Sequence, residues 1–134
     1  LTVEAGEVHI LLGENGAGKA TLIKILAGAY VKDEGEIYWE GQPVEIRSPH
    51  DAQELGISTI YQEFNLAPNL SVAENISLGN LPHKGLLVDW AATRARGEEI
   101  LHRLGVVLPM DTPTARLSIA EQQLVEIAKA LTSW

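Results

Sequence analysis

No cysteine occurs among the 134 residues, which excludes disulfides and is compatible with a cytosolic protein. Basic side chains are also scarce. Ten Lys and Arg face 18 Asp and Glu, for a net charge of −8. Neither a nucleic-acid backbone nor an anionic lipid surface would attract such a chain electrostatically. No nucleic-acid partner is therefore expected, and membrane association would need a protein partner. No apolar run reaches the length of a transmembrane helix, and no signal peptide is visible. Internal repeats, linkers and low-complexity segments are lacking as well. His9, His50, His83 and His102 show no metal-ligand spacing and read as surface or half-buried residues.

What is present is a hydrophobic fraction of 46% and a charged fraction of 21%, the balance of a soluble globular chain of at most one domain. Its most informative stretch is Gly13-Glu14-Asn15-Gly16-Ala17-Gly18-Lys19-Ala20-Thr21. The apolar run Val8–Leu12 before it has the content of a buried strand. Leu22, Ile23, Ile25 and Leu26 after it line one side of a helix that Gly28 stops. Strand, glycine loop and helix together make a phosphate site, because glycines let backbone N–H groups converge on an anion and the helix N-terminus adds partial positive charge. Lys19 reaches the β- and γ-phosphates. The pattern G-x-x-x-x-G-K-[ST] holds at Gly13, Gly18 and Lys19 and fails at Ala20, where the hydroxyl that ligates Mg²⁺ belongs. Thr21 lies about 100° further round the helix and is a poor substitute ligand. An ordinary glycine turn is the alternative, and the agreement of spacing, lysine and flanks argues against it.

Leu1–Val3 and Val8–Leu12 read as strands joined at Ala5-Gly6. Glu36–Trp39 and Pro43–Ile46, around Glu40-Gly41, read as a β-hairpin. Ser48-Pro49 opens a helix that ends near Gly56, and Ile57–Tyr61 is a strand that should share a sheet with Val8–Leu12. Ser71-Val72-Ala73-Glu74 is a capping box opening a short helix, and Gly79–Gly85 is loop. Asp89-Trp90 begins a helix reaching Leu104, with Ile100, Leu101 and Leu104 on one face. A second capping box, Ser118-Ile119-Ala120-Glu121, opens a helix whose stripe is Leu124, Ile127, Ala128 and Leu131. Glu98, Glu99 and Glu126 read as solvated. Trp39, Trp90 and Trp134 read as packing residues.

The phosphate loop, Tyr61-Gln62-Glu63 after a strand, and Leu117-Ser118-Ile119-Ala120-Glu121-Gln122-Gln123 occur in one order. Together they resemble the nucleotide-binding domain of ATP-binding cassette transporters, over essentially the whole chain. The stretches Leu66–Gly79, Val88-Asp89-Trp90 and Gln123–Leu131 are similar to bacterial sugar importers of the ribose, galactose and xylose class. That class carries two cassettes in one polypeptide, and the intact Lys19 makes this chain look like the first. The resemblance implies ATP and Mg²⁺ as cofactors, with Gly13 through Thr21 on the nucleotide held in cis. It implies that Ser118, with Ala120 and Glu121 at the signature positions, faces a nucleotide held by a second cassette. It also implies that Gln62 serves catalysis, reaching the Mg²⁺ or the attacking water and sensing the membrane partner.

Departures from the family pattern qualify this. The signature L-S-G-G-Q stands as Leu117-Ser118-Ile119-Ala120-Glu121. Ile119 is acceptable only if it points away from phosphate, and Glu121 is unfavourable there unless it turns back to cap its helix. From local pattern, a capping box competes with a phosphate role at Ser118; the resemblance favours phosphate for Ser118 and not for Glu121. The family's Asp-Glu strand, switch histidine and adenine-stacking aromatic are not in this sequence.

The expectation is thus an α/β fold: a partial, truncated P-loop NTPase core over 1–65 with an antiparallel β-hairpin, and a helical subdomain with the signature helix over 66–134. Both ends read as cuts through a longer protein. The parent is expected to be the ATPase subunit of a bacterial sugar importer, peripheral on the cytoplasmic face of the inner membrane. Its expected partners are a second cassette, transmembrane permease subunits and, indirectly, a periplasmic sugar-binding protein. The chain itself is expected to bind nucleotide weakly without turnover. The alternative is a non-catalytic nucleotide-binding or regulatory module with a cassette-like surface.

Overall fold

The computed structural model describes residues 1–61 and 65–132. The chain divides into two compact units, Leu1–Ile57 and Ser58–Trp134.

In the first unit, α1 spans Lys19–Leu26. β1 (Ile37–Trp39) pairs antiparallel with β2 (Gln42–Val44), Ile37 opposite Val44. Their connection is the two-residue turn Glu40-Gly41, and both residues take positive φ, 49° and 78°, as the twist of a tight hairpin demands. α2 (Pro49–Glu54) starts with Pro49 at its first position and Ser48 as cap; the Ser48 hydroxyl accepts from the Asp51 N–H, and the Asp51 carboxylate reaches back to the Ser48 N–H. Ala27, Ile46 and Ala52 are the buried apolar residues of this unit. Gly28 has a double reason to be glycine. Its φ is +71°, and a Cβ there would sit 2.1 Å from the carbonyl oxygen of Ser48, so the end of α1 meets the cap of α2 backbone to backbone.

The second unit is helical. α3 (Val72–Ile76) begins at the capping box of Ser71 and Glu74. β3 (His83–Lys84), inside the Gly79–Gly85 stretch read from sequence as loop, pairs with β4 (Leu87–Val88) just after that stretch in a small hairpin. α4 (Trp90–Arg103) is capped by the Asp89 carboxylate, which accepts from the Ala92 N–H. A 3₁₀ turn, Thr114–Arg116, leads into α5 (Ile119–Leu131), capped by Ser118. Val72, Ala73 and Ile76 of α3, Ile100 and Leu101 of α4, and Val125 and Ala128 of α5 close one core together with Leu108 and Met110.

Besides the hairpin at 83–88, further readings need correction. Trp90, read as a packing residue, is 57% exposed. Leu1–Val3, Val8–Leu12 and Ile57–Tyr61 form no strand ladder among the described residues. Val8, Ile10 and Leu12 are 89%, 72% and 86% exposed. Apolar content gives strand propensity, but a parallel strand acquires its ladder and burial from neighbouring strands, and none lies against these residues. On α5, the buried positions are Val125, Glu126 and Ala128, while Leu124 and Ile127 are half-buried and Leu131 is exposed. The core thus meets α5 one position round from the expected stripe. Glu126, read as solvated, is 8% exposed because its carboxylate accepts the Asn65 N–H at 2.7 Å. A buried carboxylate with a backbone partner escapes the cost of an unpaired one.

Candidate functional site

Gly13 to Thr21 form a loop that runs into α1. Gly16 and Gly18 have φ of 89° and 82°, left-handed values that L side chains resist, and a Cβ on either would meet nothing within 4 Å. The loop is thus open around Gly16 and Gly18, whereas a Cβ on Gly13 would meet the Ala17 Cβ at 3.3 Å and the Lys19 Nζ at 3.5 Å. Lys19 folds back over it, its Nζ donating to the carbonyls of Gly13 and of Glu14, the latter at 2.7 Å. The loop is closed further by the Ala17 N–H donating to the Glu14 carbonyl at 3.2 Å. The ammonium thus sits beside the concavity, held by neutral carbonyls that an anion could replace as its partner.

The start of α1 differs from the other helix starts. α2, α3 and α5 each carry a serine cap and an acidic residue in the first turn, and α4 carries an aspartate cap. α1 has Gly18 as N-cap with no side-chain cap hydrogen bond, and no acidic residue in its first turn. Its leading N–H groups and its positive dipole end remain available to an external anion. Ala20 and Thr21 are exposed on this first turn. Ala20 contributes a methyl, so a metal ion bound with nucleotide would find no hydroxyl there; Thr21 carries the nearest one in sequence.

In the second unit, Ser118 is the exposed N-cap of α5. Its hydroxyl and its N–H both donate to Glu121 Oε2 at 2.8 Å, and the Glu121 N–H donates back to the hydroxyl at 3.3 Å. These bonds, that from the Ser118 N–H foremost, hold the Glu121 carboxyl below its ordinary value of 4.5. Glu121 thus turns back onto its own helix. Ile119 projects outward, 68% exposed, and Ala120 is exposed. Gln62 lies outside the described residues.

The phosphate-loop residues thus come together within the first unit, and Ser118, Ala120 and Glu121 within the second. His50, Asp51 and Glu54 also converge, with one potential ligand atom each within 4.8 Å of the others, although their sequence spacing gave no metal pattern. Asp51 is already engaged in capping α2, and His50 pairs with Glu54 at 3.8 Å. Sequence reading missed Asn75, which is 0% exposed and ties α3 to the 65–71 segment and to Thr114. The signal was a polar residue within the buried run Val72-Ala73-x-Asn75-Ile76.

Comparison with known proteins decides the family. The family model for ABC transporters matches residues 1–133. This chain belongs to the ABC transporter family. A ribose import ATP-binding protein of Rubrobacter xylanophilus is 60% identical over 126 residues, covering 94% of this chain and 25% of that protein. Among solved ABC structures, cbiO1 of Clostridium perfringens, part of a transporter complex, superposes with a TM-score of 0.71 at 28% identity over 91% of this chain and 48% of the other. A dimeric ATP-binding cassette bound to ADP and inorganic phosphate gives 0.68 at 25% identity, over 90% and 53%. The fold is that of ABC ATPase cassettes of the P-loop NTPase type. The chain spans about a quarter of the length of the curated relatives it matches.

Proposed function

We propose that this ABC chain binds ATP through Gly13, Glu14, Asn15, Gly16, Ala17, Gly18, Lys19, Ala20 and Thr21, and that the protein containing it hydrolyses ATP to drive import of a sugar. The observation that carries the reading is the uncapped, acid-free start of α1 behind an open glycine loop, with the Lys19 ammonium beside it. An anion of the size of a phosphate meets convergent N–H groups, a helix dipole and a full positive charge there. The ribose import function stated for the 60% identical relative supports the sugar.

Ser118 and the N-terminus of α5 contact the γ-phosphate of a nucleotide held by a second cassette, as the dimeric state of a structural relative supports. Ala120 and Glu121 line that approach. Magnesium would accompany the nucleotide and neutralise charge on the β- and γ-oxygens. The hydroxyl that commonly anchors it is replaced by Ala20, so its ligands would come from the phosphates themselves and from Gln62. Permease subunits in the inner membrane receive the motion on the cytoplasmic side, with a periplasmic sugar-binding protein feeding them. No described helix is long and apolar enough to cross a membrane, in keeping with a peripheral subunit whose attachment is through protein.

The 134 residues alone bind nucleotide without turning it over. Ala20 withholds a metal ligand, and the family's water-polarising Asp-Glu pair is not in this sequence. Phosphoryl transfer depends on positioning and charge stabilisation, so both losses fall on turnover more than on binding. The test is ATP hydrolysis by the full-length protein with its permease. Lys19→Ala should abolish nucleotide binding at this cassette and, with it, sugar uptake. Sugar uptake that persists undiminished in Lys19→Ala would leave the chain as a non-catalytic binding module.

A further inference from the structure

Gln122 sits in the first turn of α5 and bonds to the chain before the helix, not to the helix itself. Its Nε2 donates to the carbonyls of Thr114 at 3.1 Å and of Leu117 at 3.2 Å. Leu117 is the residue immediately before Ser118. The Thr114 end is itself fixed. Thr114 is 1% exposed, its N–H donates to the Leu70 carbonyl at 3.0 Å, and its hydroxyl donates to the Ala67 carbonyl at 3.0 Å while accepting from Asn75 Nδ2 at 3.3 Å. Asn75 Oδ1 in turn accepts the Ala67 N–H at 2.7 Å. A buried polar chain therefore runs from α3 through Thr114 to Gln122 and ends at the peptide that carries Ser118.

We propose that Gln122 is a positioning residue for Ser118, holding the turn that enters α5 at the angle that aims the serine hydroxyl and the helix N-terminus outward to a partner cassette's nucleotide. The inference rests on the signature role given to Ser118 above. The cap of α5 is complete without Gln122, because Ser118 and Glu121 satisfy each other. What Gln122 adds is the tie between Thr114 and Leu117, and so the direction of approach. A hydroxyl that must meet a phosphate across two molecules loses its bond when displaced by about 1 Å, a shift that commonly costs one to two orders of magnitude in rate.

The experiment uses the full-length protein with its permease and reads three quantities: nucleotide affinity, kcat for ATP and the thermal midpoint. Gln122→Met and Gln122→Glu remove both donors. Each should lower kcat about tenfold with nucleotide affinity unchanged in a protein that still folds, the midpoint falling by no more than two lost hydrogen bonds account for, and Gln122→Lys, which keeps a donor, should recover most of the loss of kcat. Ser118→Ala is measured alongside. If Ser118→Ala leaves kcat intact, the signature reading itself fails. If Ser118→Ala lowers kcat while folded Gln122→Met or Gln122→Glu keeps it, the positioning role alone is overturned. Failure of both Gln122 variants to fold also overturns it, since Gln122 would then support the fold and not the aim of Ser118.

Discussion

The Ser118 hydroxyl donates to the Glu121 carboxylate at 2.8 Å, so the residue that would greet an incoming phosphate is already bonded to an anion of its own helix. The same carboxylate takes the Ser118 N–H. A γ-phosphate arriving there must move Glu121 aside, which it can do because the carboxylate is on the surface and can turn into water.

That pair carries a pH dependence with a definite sign. The folded-state value of Glu121 is depressed, so its stabilising contribution is fully present above the ordinary value of 4.5 and is lost as pH falls through the lower folded value. Asp51, depressed from 3.8 first by the Arg47 N–H and then by the Ser48 hydroxyl, and Asp89, depressed from 3.8 first by the Ala92 N–H, act in the same direction. Thermal midpoints of wild type and Glu121→Gln should therefore differ at pH 7 and converge towards pH 3. A gap that widens on acidification would contradict the assignment.

Glu126 predicts a different kind of loss. Glu126→Ala strands the Asn65 N–H, whose carbonyl is also held, by Lys129 Nζ at 2.9 Å. Asn65 is exposed, so its N–H can turn to water, and the cost is that of one net hydrogen bond, about 1 kcal/mol. Glu126→Gln keeps an oxygen acceptor and should lose less. Urea unfolding followed by circular dichroism ranks them, and equal midpoints for wild type and Glu126→Ala would refute the role of this contact.

Much of this was legible beforehand because capping chemistry is local. Ser48, Ser71, Asp89 and Ser118 announce their helices through neighbours within a few residues, and the Glu40-Gly41 turn announces its hairpin. The turn of chain before α1 was legible for the same reason, since Gly16, Gly18 and Lys19 shape it within a few residues. What escaped depends on residues far apart in sequence. Glu126 finds Asn65 across 61 positions, and Asn75 finds Thr114 across 39. The strands read at Val8–Leu12 and Ile57–Tyr61 failed on the same ground, because a ladder is a property of two segments and the apolar pattern describes one.

Gly28 separates backbone strain from steric overlap. Gly28→Ala meets both a φ of +71° and the Ser48 carbonyl at 2.1 Å. Gly35→Ala meets only its φ of +91°, with nothing within 4 Å. The first should cost clearly more than the roughly 1 kcal/mol expected of conformational strain alone, and the second about that amount. Equal thermal shifts for the two variants would mean that α1 and the cap of α2 do not meet as described.

The central claim is that Gly13–Thr21 binds nucleotide phosphate through backbone N–H groups, the α1 dipole and Lys19, without needing the hydroxyl that Ala20 replaces. Calorimetric titration of the 134-residue chain with ATP, with and without Mg²⁺, tests it most directly. Binding should be weak and little changed by Mg²⁺ in wild type, absent in Lys19→Ala, and more Mg²⁺-dependent in Ala20→Ser, with no turnover in any of them. Binding that survives Lys19→Ala, or steady ATP hydrolysis that Lys19→Ala abolishes, would contradict the account.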